Sequence, residues 1–372
     1  MRINTVLKKQ KNDVDYQGHP QGDVFFNTAY LRLKSGLVLQ GRAPEWQRGI
    51  SQGEVVFTTG MTGYVETLTD PSYTGQIIVF TYPLVGNYGV PDPRYWESKK
   101  IHAAGAVFSH ISTIWSHAQG QHSLEEWLKK QHVPFLTHVD TRTLTLHVRK
   151  QGCTPGIIDC EGGETHISFD SQDNNPVSQV SVPKKQTAGK GTKKIIAVDC
   201  GMKEGIMTEL LSFDTTVMRV PHDYDYTRDE YHGIFISNGP GDPQMAQSTI
   251  TILKKALKQK KPIFGICLGS QLLALAAGAK TYKLPYGHRG HNQPCKNMLD
   301  GTCVMTSQNH GYAVDEKTLP KAWRVTYRNL NDMTVEGVAH ATRPFFSVQF
   351  HPEGRPGPVD SRSLFDDFYS LL

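Results

Sequence analysis

The stretch that decides the fold runs from Pro262 to Gln271 and reads Pro-Ile-Phe-Gly-Ile-Cys-Leu-Gly-Ser-Gln. The apolar run 263–266 is typical of a buried strand, and a helical pattern of apolar residues follows from Leu272. Cys267 therefore lies on a sharp strand-to-helix turn, with a glycine two residues away on each side. A hydrolase carries its nucleophile on such an elbow, and the helix N-terminus behind the sulfur favours the thiolate. The pattern predicts a reactive thiol, although a cysteine after a buried strand is more often a small core residue.

Suitable partners for a thiol nucleophile occur near the C-terminus. Residues 346–353 read Phe-Ser-Val-Gln-Phe-His-Pro-Glu, so that His351 and Glu353 directly follow a predicted strand. Pro352 stiffens this turn and fixes the relation between the two side chains. A histidine can take the thiol proton, and a carboxylate can orient the imidazole and stabilise its charged form. Cys267, His351 and Glu353 are therefore the predicted catalytic residues.

A third turn supplies backbone donors. Residues 237–243 read Ser-Asn-Gly-Pro-Gly-Asp-Pro after the apolar run 233–236. Gly239 and Gly241 let the backbone approach a ligand closely and offer N–H groups to a developing oxyanion. Each of these turns alone would be unremarkable, but three at strand ends in one domain indicate a site.

Strand and helix patterns alternate through the C-terminal half. Predicted strands at 195–199, 216–220, 233–237 and 263–266 are separated by helical segments. This order predicts an α/β fold whose mainly parallel sheet is flanked by helices on both faces. Ligands bind such sheets beyond the carboxyl ends of the strands, so the three turns are expected on one rim.

Composition divides the chain into four parts. We predict a polar N-terminal extension at 1–25, a strand-rich α/β domain at 26–170, a linker at 171–194 and the α/β domain described above at 195–372. The linker is poor in apolar residues and rich in lysine. The first domain is expected to begin with a hairpin and to contain helices that start after Ser123 and Asp140.

Composition also excludes several classes of protein. The 372 residues contain no run of 18 apolar residues and no N-terminal signal pattern, so neither a membrane span nor secretion is expected. The six cysteines show no spacing typical of a zinc site or a disulfide scaffold, which favours reduced thiols in a cytoplasmic protein. A net charge of +5 calls for neither nucleic acid nor a membrane surface. No metal site is predicted.

The three turns together resemble the class I glutamine amidotransferase domain. Further stretches are similar to the small, glutamine-hydrolysing subunits of carbamoyl-phosphate synthetases: Ser-Gln-Asn-His-Gly-Tyr-Ala-Val-Asp at 307–315, several blocks within 54–85, and Asp-Thr-Arg-Thr-Leu-Thr from Asp140. The resemblance extends from about residue 28 to the C-terminus. It implies an N-terminal domain that docks a partner and a C-terminal domain that releases ammonia from glutamine.

The resemblance also assigns roles to residues. Cys267 would attack the side-chain amide of glutamine, with His351 as general acid and base. The expected glutamine-binding residues are Gly60, Gly239, Gly241, Leu268, Gln271, Asn309, Gly311 and Tyr312. The implied partner is the large synthetase subunit, which would form a heterodimer with this chain. That subunit would use ATP, Mg and bicarbonate to make carbamoyl phosphate for pyrimidine or arginine synthesis, while this chain itself needs no cofactor.

The sequence departs from the family pattern at three places. Gly60 stands where the family has a serine that contacts the substrate, so that hydroxyl contact cannot be assigned here. Ser270 replaces a histidine beside the nucleophile, which we expect to tune the thiol without abolishing its activity. The segment 287–294 keeps only the outline of the family's segment, and His288 with His291 lacks a third metal ligand nearby.

Two other classes of function stay open on the sequence alone. The chain could be an amidotransferase component of another synthase or a self-standing Cys–His hydrolase, against which the N-terminal block argues. It could also be a docking or regulatory subunit without activity, against which the intact catalytic residues argue.

Overall fold

The computed structural model describes residues 26–162 and 175–372. The predicted extension 1–25 and the predicted boundary at residue 170 lie outside the described residues. In the described part, two large sheets each carry helices on both faces. The predicted α/β fold class is confirmed.

The first sheet is built from the N-terminal half of the chain. Its strands and the small pair beside it are β1 (Phe26–Leu33), β2 (Val38–Pro44), β3 (Ile50–Thr58), β4 (Gln76–Phe80), β5 (Leu84–Val85), β6 (Gly105–Val107), β7 (His110–Ile111), β8 (Phe135–Leu136) and β9 (Thr154–Asp159). Seven of them form a sheet in the order β2-β1-β9-β3-β4-β6-β8, and β5 pairs with β7 separately. The helices are α1 (Tyr64–Thr69), α2 (Leu124–Lys130) and α3 (Thr141–Gln151).

Local sequence signals account for the boundaries of these elements. Strands β1 and β2 form the predicted antiparallel hairpin. Ser123 and Glu126 exchange both hydrogen bonds of a capping box at the start of α2, and the Asp140 side chain accepts from Thr143 N at the start of α3. Helices α1 and α2 pack on one face of the sheet and α3 packs on the other.

The second sheet is built from the C-terminal half. Its elements are α4 (Pro176–Val180), β10 (Gln186–Gly189), β11 (Lys193–Asp199), α5 (Glu204–Leu211), β12 (Thr215–Pro221), β13 (Gly233–Ile236), α6 (Gln247–Ala256), β14 (Ile263–Ile266), α7 (Leu268–Ala277), β15 (Lys280–Asn297), β16 (Cys303–Asp315), β17 (Trp323–Asn329), β18 (Val335–His340), β19 (Phe345–Val348) and α8 (Leu364–Ser370). The strand order is β10-β12-β11-β13-β14-β19-β18-β17-β15-β16. Short 3₁₀ helices lie at Pro71–Tyr73, Pro93–Tyr95, Tyr226–Arg228, Pro243–Met245, Leu257–Gln259 and Glu316–Thr318.

The centre of this second sheet is parallel, as predicted. Strands β12, β11, β13, β14 and β19 pair in parallel, whereas β15 to β18 extend the sheet in antiparallel fashion. Alternate residues of β13 face opposite sides: Ile234 and Ile236 pack with α6 and α7, and Phe235 packs with α5 and α8. Both faces of the central strands are therefore buried, which explains why these strands read as continuous apolar runs.

Part of the predicted linker has regular structure. Within residues 175–194, α4 packs Val177 into the core and β10 pairs antiparallel with β12 at the edge of the second sheet. Residues 171–174 lie outside the described residues. The short edge strand is mostly exposed and so lacks the apolar pattern that identifies a strand from sequence. None of the helices in the two described ranges has the length and apolar character needed to cross a membrane.

Candidate functional site

Cys267 occupies a strained elbow between β14 and α7. Its backbone has φ 54° and ψ −108°, a conformation that residues with a side chain rarely adopt. A Cβ on Gly265 would lie 2.6 Å from Gly269 O, and a Cβ on Gly269 would lie 2.2 Å from Ile236 O. Both glycines are therefore required by the close passage of α7 over β13 and β14. The elbow places the thiol at the N-terminus of α7, where the helix dipole favours negative charge.

His351 and Glu353 follow β19, the strand next to β14. His351 Nδ1 donates a hydrogen bond of 2.6 Å to Glu353 Oε1, and both side chains are buried. Cys267 N donates to Val348 O over 2.9 Å, which ties the elbow to the end of β19. On the opposite side of the imidazole, Nε2 has no hydrogen-bond partner among the described residues. The structure thus brings the three predicted catalytic residues together at adjacent strand ends.

The charge of Glu353 decides the protonation of His351. Burial alone would lower the pKa of His351, but the Glu353 carboxylate and the neighbouring Cys267 thiol raise it to about 10. In turn the charges of Lys203 and His351 hold the pKa of Glu353 well below its usual range, although burial acts in the opposite direction. The Glu353 carboxylate therefore favours the charged form of the His351 imidazole.

Lys203 is a member of this site that the sequence did not indicate. Its Nζ donates to Glu353 Oε1 over 2.9 Å, and its side chain is only 3% exposed. Burial would lower the pKa of Lys203, but the charges of Glu353, Glu97 and Asp70 raise it above its usual value. Glu353 thus contacts two cations and is held in one orientation. The only available signal was the position of Lys203 a few residues beyond the end of β11.

A cleft opens beside the thiol at the carboxyl ends of the parallel strands. It is lined by Glu54, Ser72, Gln76, Cys153, Gly239, Gly241, Cys267, Leu268, Gln271, Lys283, Leu284, Tyr286, Arg289, Asn309, His310, Gly311 and Tyr312. Seven of the eight predicted glutamine-binding residues are in this set, and Gly60 is not. The cleft also receives four residues from the first domain and four from β15 that the prediction omitted.

The glycine-rich turn after β13 borders the cleft. A Cβ on Gly239 would lie 2.1 Å from Cys200 O, and a Cβ on Gly241 would lie 2.3 Å from Pro176 Cγ. Gly241 also has φ +85°, in the left-handed region that favours glycine. Both glycines are therefore required by close packing within the chain, which includes α4 from the predicted linker, and their predicted contact with a ligand stays a prediction.

Two amide side chains define the polarity of the cleft wall. Gln271 Nε2 donates to Tyr312 O over 2.9 Å and to Gln349 Oε1 over 3.1 Å, so that its carbonyl oxygen is the group left for a ligand. Asn309 contacts the thiol through its backbone, since the Cys267 Sγ–H donates to the main-chain carbonyl of Asn309 over 3.6 Å. An acceptor at this distance from a nucleophile suits a ligand that carries an amide or an ammonium group.

The first domain supports the cleft through hydrogen bonds. Asn238 Nδ2 donates to Asp70 Oδ1 over 3.2 Å and to Ser72 Oγ over 2.8 Å, and Asn309 Nδ2 donates to Asp70 Oδ2 over 3.2 Å. Asp70 thereby connects the turn after β13 with strand β16. Asp70 and Ser72 lie within the segment 54–85, which carries part of the family resemblance, but sequence alone does not show which residues they contact.

Two departures from the family pattern have clear surroundings. A Cβ on Gly60 would lie 2.4 Å from Cε1 of His291, so the segment packs against that ring instead of entering the cleft. Ser270 forms a 2.9 Å hydrogen bond between its Oγ and that of Ser347, which links α7 to β19. The predicted tuning of the thiol by Ser270 stays a prediction.

A buried histidine cluster lies on β15, β16 and β18. His288, His310 and Glu336 bring three metal-ligand atoms within 4.8 Å of one another. His288 also lies between Glu336 Oε1, 3.2 Å from its Nδ1, and Asp332 Oδ2, 2.8 Å from its Nε2. Burial would lower the pKa of His288, but these two carboxylates raise it to about 9. A protonated ring that donates to both accounts for the contacts, so we interpret the cluster as a hydrogen-bonded support for β16. The sequence had paired His288 with His291 instead.

Two family models match the chain. Residues 31–158 match the carbamoyl-phosphate synthase small chain, CPSase domain, and residues 196–371 match glutamine amidotransferase class-I. These ranges follow the two sheets of the structure.

Curated relatives match over most of this chain. The chain is 44% identical to the carbamoyl phosphate synthase arginine-specific small chain of Schizosaccharomyces pombe.

 The alignment with that relative spans 358 residues, which is 91% of this chain and 86% of the relative. The chain is also 45% identical to the multifunctional protein URA2 of Saccharomyces cerevisiae and 46% identical to the multifunctional protein CAD of Squalus acanthias, over 92% and 91% of this chain. It spans only 17% and 16% of the length of those two proteins.

Proposed function

Because the chain belongs to the family of carbamoyl-phosphate synthase small chains, we propose that it hydrolyses glutamine to glutamate and ammonia. One observation carries this proposal. The Cys267 thiol meets the His351–Glu353 pair, in which Nδ1 and Oε1 are 2.6 Å apart, beside a cleft lined by amide groups. A nucleophile, a base with its orienting carboxylate and a polar cleft are the parts that acyl transfer from an amide requires.

The proposed reaction proceeds in two steps. The Cys267 thiolate attacks the side-chain amide carbon of glutamine, and the amide oxygen becomes an oxyanion that the backbone N–H groups of Gly241 and Leu268 stabilise. His351 gives its proton to the nitrogen, the carbon–nitrogen bond breaks, and ammonia leaves behind a thioester. His351 then takes a proton from water, whose oxygen attacks the thioester carbon and releases glutamate and the thiolate. Glu353 keeps the imidazole oriented throughout.

The ammonia is proposed to serve a second subunit. In this proposal the chain forms a heterodimer with the large synthase subunit in the cytoplasm, and that subunit uses ATP, Mg and bicarbonate to make carbamoyl phosphate. The product would enter pyrimidine or arginine synthesis, and the relative named above is an arginine-specific small chain. The first sheet is the proposed docking domain, because it carries the small-chain match outside the amidotransferase domain.

The test is glutamate release by the purified chain, alone and with the large subunit. Cys267→Ser keeps the volume but replaces the thiol with a poorly ionised hydroxyl, so glutamine hydrolysis should fall by several orders of magnitude. Carbamoyl phosphate synthesis from free ammonia by the complex bypasses the thiol and should continue. Loss of both activities would mean that Cys267 is structural, and unchanged hydrolysis would rule out Cys267 as the nucleophile.

The same assay tests the partner. A glutaminase that ran without its partner would waste glutamine, so the isolated chain should be slow and the large subunit should accelerate it. Equal rates with and without the large subunit would favour a self-standing hydrolase.

A further inference from the structure

Arg289 is a nearly buried cation that faces the cleft. Its side chain lines the cleft on β15, and the residue is only 5% exposed. Nη1 donates to Tyr286 O over 2.7 Å, whereas Nε has no hydrogen-bond partner among the described residues. Within the ranges 26–162 and 175–372, no carboxylate lies within ion-pair distance of this guanidinium. A buried cation without a counter-ion is costly, so an anionic ligand is the expected partner.

The free edge of the guanidinium has the right shape for a carboxylate. The Cys153 thiol lies beside the guanidinium, and Tyr286 O occupies Nη1. Nε and Nη2 form the side-on edge that binds a carboxylate through two parallel hydrogen bonds. A Cβ on Gly311 would lie 3.3 Å from Nη2, so the glycine leaves this edge accessible. A lysine at this position would offer no such edge.

Arg289 also lies beside the residue that contacts the thiol. It pairs with Asn309 across β15 and β16, so the two side chains point to the same side of the sheet. The backbone carbonyl of Asn309 is the group that the Cys267 thiol contacts. The guanidinium and the nucleophile therefore border the same cleft.

The other basic side chain of the Lys/Arg type in the cleft is already paired. Lys283 Nζ lies 2.6 Å from Glu54 Oε1, so its charge is balanced by a residue of the first domain. Arg289 and Lys283 lie on the same strand and line the same cleft, but only Arg289 lacks a carboxylate partner among the described residues.

We propose that Arg289 binds the α-carboxylate of glutamine and so selects free amino acids over their α-amides. This assignment rests on the proposed glutaminase function. It supplies an anchor for the amino-acid end of the substrate in a chain that has glycine at position 60, where the family's serine hydroxyl is absent.

The test compares L-glutamine with L-glutamine α-amide, which keeps the scissile side-chain amide but lacks the carboxylate charge. The unmodified chain in complex with the large subunit should prefer glutamine in kcat/KM by about 10- to 150-fold, the range for a hydrogen-bonded charge. Arg289→Gln should reduce this preference to about twofold or less, and Arg289→Lys should retain part of it. Arg324→Gln changes an exposed arginine on β17 outside the cleft, so it is the control and should keep the full preference.

Each alternative outcome gives a decision. Equal losses for both substrates in Arg289→Gln would assign Arg289 a structural role and overturn the proposal, as would an unchanged preference. If the unmodified complex hydrolyses neither substrate, the proposed function fails, and calorimetric binding of L-glutamine then decides the role of Arg289. Binding that is weakened in Arg289→Gln and kept in Arg324→Gln would support the assignment, and equal binding in Arg289→Gln would overturn it.

Discussion

Asp70 of the first domain accepts a hydrogen bond from Asn309 of the second, 3.2 Å from Nδ2 to Oδ2, directly behind the backbone carbonyl that contacts the thiol. Its other oxygen accepts from Asn238 on the far side of the cleft. One buried carboxylate thus contacts the turn after β13 and strand β16, both of which belong to the other domain. The first domain therefore contributes to a candidate site whose three predicted catalytic residues lie in the second.

The first prediction concerns this carboxylate. Asp70→Asn keeps the shape of the side chain but replaces one of its two acceptor oxygens with an N–H₂ group. Because Asn238 and Asn309 both donate to Asp70, one buried donor then has no acceptor. Because such a loss costs about 1–3 kcal/mol, KM for glutamine should rise at least about fivefold. Steady-state glutaminase kinetics would measure this rise. Asp92→Asn, an exposed capping carboxylate in the same domain, should leave KM unchanged. Equal KM values in both variants would show that Asp70 does not position the cleft.

The second prediction concerns the protonation of His351. Its pKa of about 10 results from the Glu353 charge acting against burial. In Glu353→Gln the burial and the charge of Lys203 remain, so the pKa should fall. In NMR spectra of ¹⁵N-histidine-labelled protein, His351 should lose its proton at a lower pH in the variant than in the unmodified chain.

The same shift has a consequence for stability. Because the pKa of His351 is higher in the folded chain than its ordinary value of about 6.5, its stabilising contribution is complete below that pH and is lost as pH rises through about 10. The unfolding free energy should therefore decline less steeply with rising pH in Glu353→Gln. A His351 titration that is identical in both proteins would contradict the assigned role of Glu353.

The third prediction concerns Gly269. In Gly269→Ala the new Cβ would lie 2.2 Å from Ile236 O, a backbone atom of a central strand that cannot move aside. Such overpacking costs about 1–3 kcal/mol, and it should lower both the melting temperature and kcat because α7 carries the elbow. Gly278→Ala lies at the other end of the same helix, where a Cβ meets no atom within 4 Å and only the φ of +106° is unfavourable. It should reduce stability and leave kcat intact. A kcat loss of similar size in both variants would refute the specific role of Gly269.

The fourth prediction concerns Gly60. Its backbone is not in the left-handed region, so strain does not oppose Gly60→Ser, but the serine Cβ would meet the His291 ring at 2.4 Å. Since Gly60 does not line the cleft, the hydroxyl should not improve KM for glutamine, and the melting temperature should fall. The double variant Gly60→Ser, His291→Ala lacks this clash. Its melting temperature should therefore match that of His291→Ala alone. A lower KM in Gly60→Ser would show that this segment does reach the substrate.

Local pattern predicted the parts of the site that depend on local structure. The run 263–266 and the glycines beside Cys267 specify a buried strand and a tight turn within ten residues, and the order of the parallel strands then places Cys267 and His351 on one rim. These features follow from periodicity and backbone geometry, which a single sequence contains.

The missing parts depend on contacts between distant segments. Asp70 and Asn309 are separated by 239 residues, and Lys203 and Glu353 by 150. No periodicity records such pairs. Strand β15 was also not predicted. Its pairing with β16 is interrupted between Lys283 and His288, and Leu284 and Tyr286 within this interval line the cleft. The helix α4 and strand β10 were obscured by polar composition.

The backbone of Cys267 has one more consequence. At φ 54° and ψ −108° any side chain is disfavoured by about 1–3 kcal/mol, and glycine is the residue that adopts such angles with least strain. The fold would thus be more stable with glycine at the one position where the reaction needs sulfur. Selection for stability alone would remove the nucleophile, so an inactive relative that drifts toward glycine here should melt at a higher temperature than its active ancestor.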